Sequence, residues 1–507
     1  MIFTRTLAPL GLAISLAVTG CAAVGPDYHL PENAAINRPA AAGEFQQSHE
    51  TAFEQNSVPG TWWRLYQDPT LDKLIAQALQ ANTGLRVAAA NLERAQAVSD
   101  EARGRQNPTI GVNASPAYGH ASGVSVLAPD VRPTNRWSYS GGISVGYQLD
   151  LFGQIRRAIE ASEGDAQAAQ AAYDATRVTV AAETARAYAD ICSAGMQLAS
   201  ARHSVTVQRD SLNAVQRLQQ AGRGTALDVS RARSQLEQLR ADLPPFQANQ
   251  RIALYRLAAL IGRTPTEIPA TLLDCATPPR LTQAIPVGDG AALLRRRPDI
   301  RQAERTLAAA TARIGVATAS LYPTISLGLS GTSGGPATMF GERGTFSWSV
   351  GPLISWTVPN TGVAQAQIAQ AKAVASSALA NFDDTVLGAL RETESALVAY
   401  ARQLDRYAAL QEARNQSAIA AKQAEQLFHA GKTDYLNVLD AQRTLATDES
   451  ALAASQATLS GDQIDLFLAL GGGWQDTPAT QGSPASGQTP LQGQPGTGQT
   501  VGTSTAT

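Results

Sequence analysis

The chain has 507 residues, enough for several domains, with 44% hydrophobic residues and a formal net charge of −2. That near balance gives no reason to expect nucleic acid as a partner, and 6% aromatic residues alongside abundant alanine favour close-packed helices over bulky globular cores. The five histidines, His29, His49, His120, His203 and His429, are not spaced as a metal pair, and no cofactor is expected.

Residues 1–20 carry Arg5, an apolar run from Leu7 to Val18 and small residues before Cys21. This is the pattern of a secretory signal peptide, not of a membrane span. Val18-Thr19-Gly20-Cys21 resembles the lipobox of bacterial lipoproteins, although leucine is commoner where Val18 stands. The mature chain is therefore expected to begin at an acylated Cys21, in a lipidated segment over 21–68; the plainer reading is an ordinary signal with a chance cysteine. An aspartate after the cysteine would suggest retention in the inner membrane. Ala22 leaves the outer membrane open.

The spacing predicts a first structural repeat over 69–262, with strands at about 107–117 and 137–149 and helices at about 153–220 and 225–260. In 137–149, Trp137, Tyr139, Ile143, Val145, Tyr147 and Leu149 share one parity while Ser138, Ser140, Gly142, Ser144, Gly146 and Gln148 take the other. That alternation is a strand with one apolar face. No proline interrupts 153–220, so a single helix of roughly 100 Å fits there at 1.5 Å per residue. Tyr188, Ile191, Gly195, Leu198, Val205 and Leu212 form its three-four stripe. Pro244 and Pro245 predict a bend in the next helix. Residues 263–296 read as a linker or equatorial region. Cys192 and Cys275 could pair or stay as buried thiols.

A second repeat is expected over 297–471, with strands at about 322–331 and 346–358 and helices at about 362–429 and 434–470. Phe346, Trp348, Val350, Ile354, Trp356 and Val358 repeat the alternation, and only Pro352 and Leu353 depart from it. Val438, Leu445, Leu452, Leu459 and Leu466 recur every seven residues, the signature of a coiled-coil neighbour. The duplication is direct. WSYSGGISVGYQLDLFG from Trp137 lies over FSWSVGPLISWTVPNTG from Phe346 at an offset of 209, and AGRGTALDV from Ala221 lies over AGKTDYLNV from Ala430 at the same offset. NPTIGVNAS and YPTISLGLS align at 215, the difference falling in the loop between strands. Residues 472–507 are rich in Gly, Gln, Thr, Ser and Pro and are expected to be disordered.

Four strands with open edges cannot stand alone in a membrane, so other copies must close them. The cysteine followed by AAVGPDYHLPE, the WWRLYQDPTLDKLI stretch from Trp62, RRRPDIRQAE from Arg295 and the duplicated AGxxxxLxV turns resemble the outer-membrane factors of tripartite efflux systems. The resemblance is to the TolC/OprM-like family, in its acylated NodT branch, and covers the mature chain to about Trp474. It implies an α+β membrane protein, a long coiled-coil α-helical barrel plus a transmembrane β-barrel, with four strands per chain. It also implies a homotrimer with twelve strands, an outer-membrane location reaching into the periplasm, and passive export. The implied partners are a periplasmic adaptor and an inner-membrane pump of the resistance-nodulation-division type.

In that family the residues after the second turn close the inner aperture. Carried onto this chain, Leu436 becomes an apolar constriction, Asp440 an acidic ring and Arg443 a polar tether to neighbouring helices. Their spacing of four and three places them on one helical face. The plain alternative is an exposed Asp440–Arg443 ion pair worth a few tenths of a kcal/mol. Thr225 and Asp228 fit either a helix cap or a tip latch; the family's latch arginine is replaced here by Thr433, with Lys432 or Arg223 as substitutes. Asp440 less 209 is Arg231, so any acidic ring belongs to the second repeat alone.

Two other functional classes fit the sequence less well. An enzyme is disfavoured: no HExxH occurs, Gln426 stands where a phosphate loop ending Gly431-Lys432-Thr433 needs its first glycine, and the Gly142–Gly146 and Gly331–Gly335 matches to GxSxG lie in a strand and an inter-strand loop. A lipidated periplasmic adaptor would share the coiled coil but not four membrane strands.

Overall fold

The computed structural model describes residues 23–120, 134–281, 283–357 and 361–472. The expected signal, Cys21, Val358 and residues 473–507 of the expected tail lie outside the described residues.

Two helices open the repeat. α1, Pro69–Ala81, starts at Asp68, whose carboxylate accepts from the Thr70 and Leu71 N–H groups. α2, Thr83–Gly104, starts at Asn82 in the same manner. The strand pair β1, Thr109–Gly119, and β2, Arg136–Leu149, leads into α3, Gln154–Gln220, of 67 residues. The way back is divided into α4, Ala226–Ala241, and α5, Leu243–Leu260. The break falls at Asp242, so Pro244 sits in the first turn of α5, where its missing N–H has no partner to lose.

The second half repeats the plan with α6, Gly290–Arg296, α7, Pro298–Ala319, β3, Thr324–Pro336, and β4, Phe346–Ser355. α8, Thr361–His429, has 69 residues and α9, Tyr435–Ala469, has 35 without a break. Ala453 and Ala454 stand at the places corresponding to Pro244 and Pro245, which is why α9 stays whole. The copies also agree at their joints. The Asn82 amide donates to Leu260 O at 2.9 Å, and Arg297, 215 residues later, donates to Ala469 O at 2.9 Å, 209 residues beyond Leu260.

α3 is the hub: α2, α4 and α5 pack on one side of it, α7 and α9 on the other, and α8 packs beyond α7 and α9. The stripe from Tyr188 through Ile191, Leu198, Val205 and Leu212 is buried, as the spacing requires. Around the middle of the rods, residues 35–66 and the 263–296 region wrap a core in which Trp62 is fully buried and stacks on Phe467 of α9 at 4.7 Å. Phe53–Glu54 pairs in parallel with Ile285–Pro286, joining the two wrapping segments. The cysteines left open by the sequence form a Cys192–Cys275 disulfide, tying the crossover between repeats to α3.

β1 to β4 form one antiparallel sheet in chain order, so the outer edges of β1 and β4 have no partner among the described residues. One face exposes Ile110, Val112, Trp137, Ile143, Leu327, Leu329, Trp348, Val350 and Ile354. The other carries hydroxyl pairs across strands, Ser330 with Ser349 and Thr332 with Ser347, each at 2.8 Å. Leu353 lies on this polar side because β4 alternates through Ile354, which pairs with Ile325 on the apolar face. An apolar face that broad on a single sheet demands a covering.

Candidate functional site

The rods turn at Gly222 and Gly431, both with φ near +70° (+71° and +69°), a conformation that glycine adopts without strain. Arg223 N–H reaches back to Leu218 O at 2.8 Å and Lys432 N–H to Leu427 O at 2.9 Å, closing both α3 and α8 in the same C-terminal motif. Each return helix then has an N-cap at the matching place. Thr225 Oγ1 accepts from Asp228 N–H at 3.1 Å while the Asp228 carboxylate accepts from Thr225 N–H at 3.3 Å, a complete capping box. Asp434 accepts from Asn437 N–H at 3.2 Å and from its amide at 2.9 Å. Thr433 accepts a second bond from that amide at 2.6 Å, so it serves this cap. Among the described residues Asp228 has no ion pair with Lys432 or Arg223.

Below the turns, Val205, Leu212 and Val215 of α3, Ala232 and Leu236 of α4, and Tyr435, Val438 and Leu439 of α9 form a buried seam. Tyr435 shares a hydrogen bond with Ser211 at 3.0 Å. Because Tyr435, Val438 and Leu439 face that seam, Leu436 and Asp440 face away from it, and both are exposed. Arg443 does not pair with Asp440 among the described residues. Its Nε donates to Gln235 Oε1 of α4 at 2.6 Å, fastening α9 to α4 across the seam. The structure thus brings Leu436 and Asp440 together on a free face and turns Arg443 to the side of a neighbouring helix.

Two contributors were missed. Gln235 is a polar residue without a pattern of its own, and nothing in the spacing marks it as the acceptor for Arg443. Leu227 could have been found: it is Leu436 less 209, and it too is exposed, at the other turn. Among the described residues no cluster of His, Cys, Asp or Glu could hold a metal.

The family model of outer membrane efflux proteins matches residues 74–263 and 291–472. This chain belongs to that family. The channel is 31% identical over 469 residues to outer membrane protein OprJ of Pseudomonas aeruginosa, covering 92% of this chain and 96% of that one. It is 29% identical over 466 residues to nodulation protein T of Rhizobium leguminosarum bv. viciae, covering 91% and 92%. The solved outer-membrane channel OprN superposes with a TM-score of 0.81 at 35% identity, over 89% of this chain and 99% of that chain. The protein is an outer-membrane efflux channel, and the adaptor alternative falls away: the sheet with one apolar face belongs to a duct that crosses the outer membrane. No helix among the described residues is long and apolar enough to cross a membrane.

Proposed function

We propose that three copies of this channel close a twelve-stranded barrel, and that the rods continue it as a periplasmic duct through which cargo passes unchanged. The observation that carries the reading is the four-stranded sheet with both outer edges unpaired among the described residues and one face apolar. Such edges are tolerated in lipid only when another copy pairs them. Its partners are then a periplasmic adaptor and an inner-membrane pump of the resistance-nodulation-division type. An acyl group on Cys21 anchors the N-terminus in the outer membrane.

The gate is at the tip. Leu436 and Asp440 of three chains converge on the axis as an apolar constriction and an acidic ring, and the Arg443–Gln235 bond holds α9 against α4 in the narrow state. Asp228 acts as a cap in this arrangement. The support is local: both gate side chains are exposed and have no role in the seam.

Planar-bilayer recordings of the trimer test this. Leu436→Ala with Asp440→Ala should raise conductance severalfold and weaken cation preference, since a ring of carboxylates in a narrow pore attracts cations. Conductance and selectivity equal to the parent would overturn the gate.

A further inference from the structure

The first described residues do not trail from the molecule. Val24 N–H donates to Phe152 O at 3.1 Å, three residues after β2 ends. Arg157, in the first turn of α3 and 5% exposed, then grips the segment. Its Nε donates to Val24 O at 3.2 Å, and Nη2 donates to Gly25 O at 3.3 Å and to the Asp27 carboxylate at 2.7 Å. Nη1 donates to Glu160 at 2.7 Å, so every nitrogen of a buried guanidinium is answered. Only the arginine fork can hold two successive carbonyls and a carboxylate at once.

The backbone here lies directly on α7. A Cβ on Gly25 would stand 2.4 Å from Gly315 Cα, and a Cβ on Gly315 would stand 2.7 Å from Arg157 Cγ and 2.9 Å from Val24 O. Three elements meet there with no room for a side chain. Beyond it, Tyr28 packs against Leu307, Ala310 and Ile314 of α7 and Ala375 of α8. Ala35 N–H ends the run by donating to Asp383 of α8 at 2.7 Å. Residues 24–35 therefore cross α3, α7 and α8 in turn. The second repeat has Ala366 where the first has Arg157, so nothing similar can form there.

We propose that residues 24–35 are a strap locked by Arg157, whose role is to hold the mature N-terminus at the rim of the membrane sheet and to couple the anchor to barrel assembly. This rests on the lipid-anchor reading of Cys21 given above. Val24 follows Cys21 by three residue steps, a reach of about 10 Å, so an acyl chain on Cys21 enters the lipid beside the lower border of the apolar band. Arg157 is a positioning residue: it acts on the anchor through the strap.

Detergent-solubilised channel decides it, with three readouts: mass of the N-terminal peptide, chymotrypsin cleavage at Tyr28, and the fraction of heat-resistant trimer. Arg157→Ala should keep the parental acyl mass, yet be cut at Tyr28 about tenfold faster because the strap opens locally, and lose trimer severalfold. Arg157→Lys should lie between the two. Asp27→Asn, which keeps both carbonyl bonds, should show a smaller rise in cleavage than Arg157→Ala. Cys21→Ser should lack the acyl mass while Tyr28 stays protected. Protection at Tyr28 in Arg157→Ala, or loss of trimer with the strap still protected, would overturn the lock. An unacylated parental peptide would refute the lipid reading instead, and Tyr28 cleavage would still decide the strap.

Discussion

Asp174 of α3 is 6% exposed, and burial holds its carboxyl above the ordinary value of 3.8, against the opposing pull of Gln170, Arg177 and Arg301. A raised folded-state pKa means the fold binds this proton more tightly than the unfolded chain does. The contribution is full below about pH 4 and is lost as pH rises through the folded carboxyl's range. Asp174→Asn keeps an acceptor for Gln170 and removes the charge. Its thermal midpoint, followed by circular dichroism, should exceed the parent's at pH 7 and fall back to it near pH 4; a midpoint below the parent's at pH 7 would contradict the assignment. At this scale the sequence was readable where a residue belongs to a period and opaque elsewhere. Leu436 and Asp440 could be placed on one helical face by spacing. Arg157 could not, because three of its four acceptors lie about 130 residues earlier in the chain and two of those are backbone carbonyls, which carry no residue code.

Elements were legible for reasons that can be named. Parity marked all four strands, and the lack of proline marked α3 and α8, each long enough for little else. α2 went unread because it buries only Leu85 and Ser99, too few to make a stripe, whereas Leu71, Leu74, Ile75 and Ala78 of α1 do keep a three-four spacing that the sequence offered. The paired caps Thr225 and Asp434 were only half visible, since Thr-x-x-Asp is a recognisable box while Asp-x-x-Asn is not. Both caps sit at exposed turns, so their loss should be felt locally. Thr225→Ala or Asp434→Ala removes about 1 kcal/mol of cap energy, which corresponds to roughly fivefold faster amide exchange over the first turn of α4 or α9. Hydrogen exchange by mass spectrometry reads that directly. Equal exchange in parent and variant would show the caps to be idle, and a collapse of the global midpoint would show them to bear more than the turn.

The whole molecule is a slab with two unfinished flanks, in its helices as in its sheet. α8 leaves Val363, Leu387, Val398 and Ile419 exposed, and at the opposite flank α2 and α5 leave Val87, Val98, Ile252 and Tyr255 exposed. The two flanks differ, so a copy cannot bury them by facing itself; it must meet the next copy head to tail. Head-to-tail contacts either close into a ring or run on as a fibre. In the trimer proposed above these contacts close into a ring, and the same rotation pairs the sheet edges of β1 and β4. Apolar flanks on the rods therefore have the same cause as the open sheet. Leu387→Asp with Val398→Asp would bury carboxylates without partners at each of three junctions, at a cost of several kcal/mol apiece. The variant should keep its helical circular dichroism, since both positions are exposed in the single chain, and should run as a monomer in detergent by light scattering. Ile252→Asp, on the opposite flank, should do the same to the same junctions. A variant on either flank that still forms heat-resistant trimers would show that these two flanks do not meet.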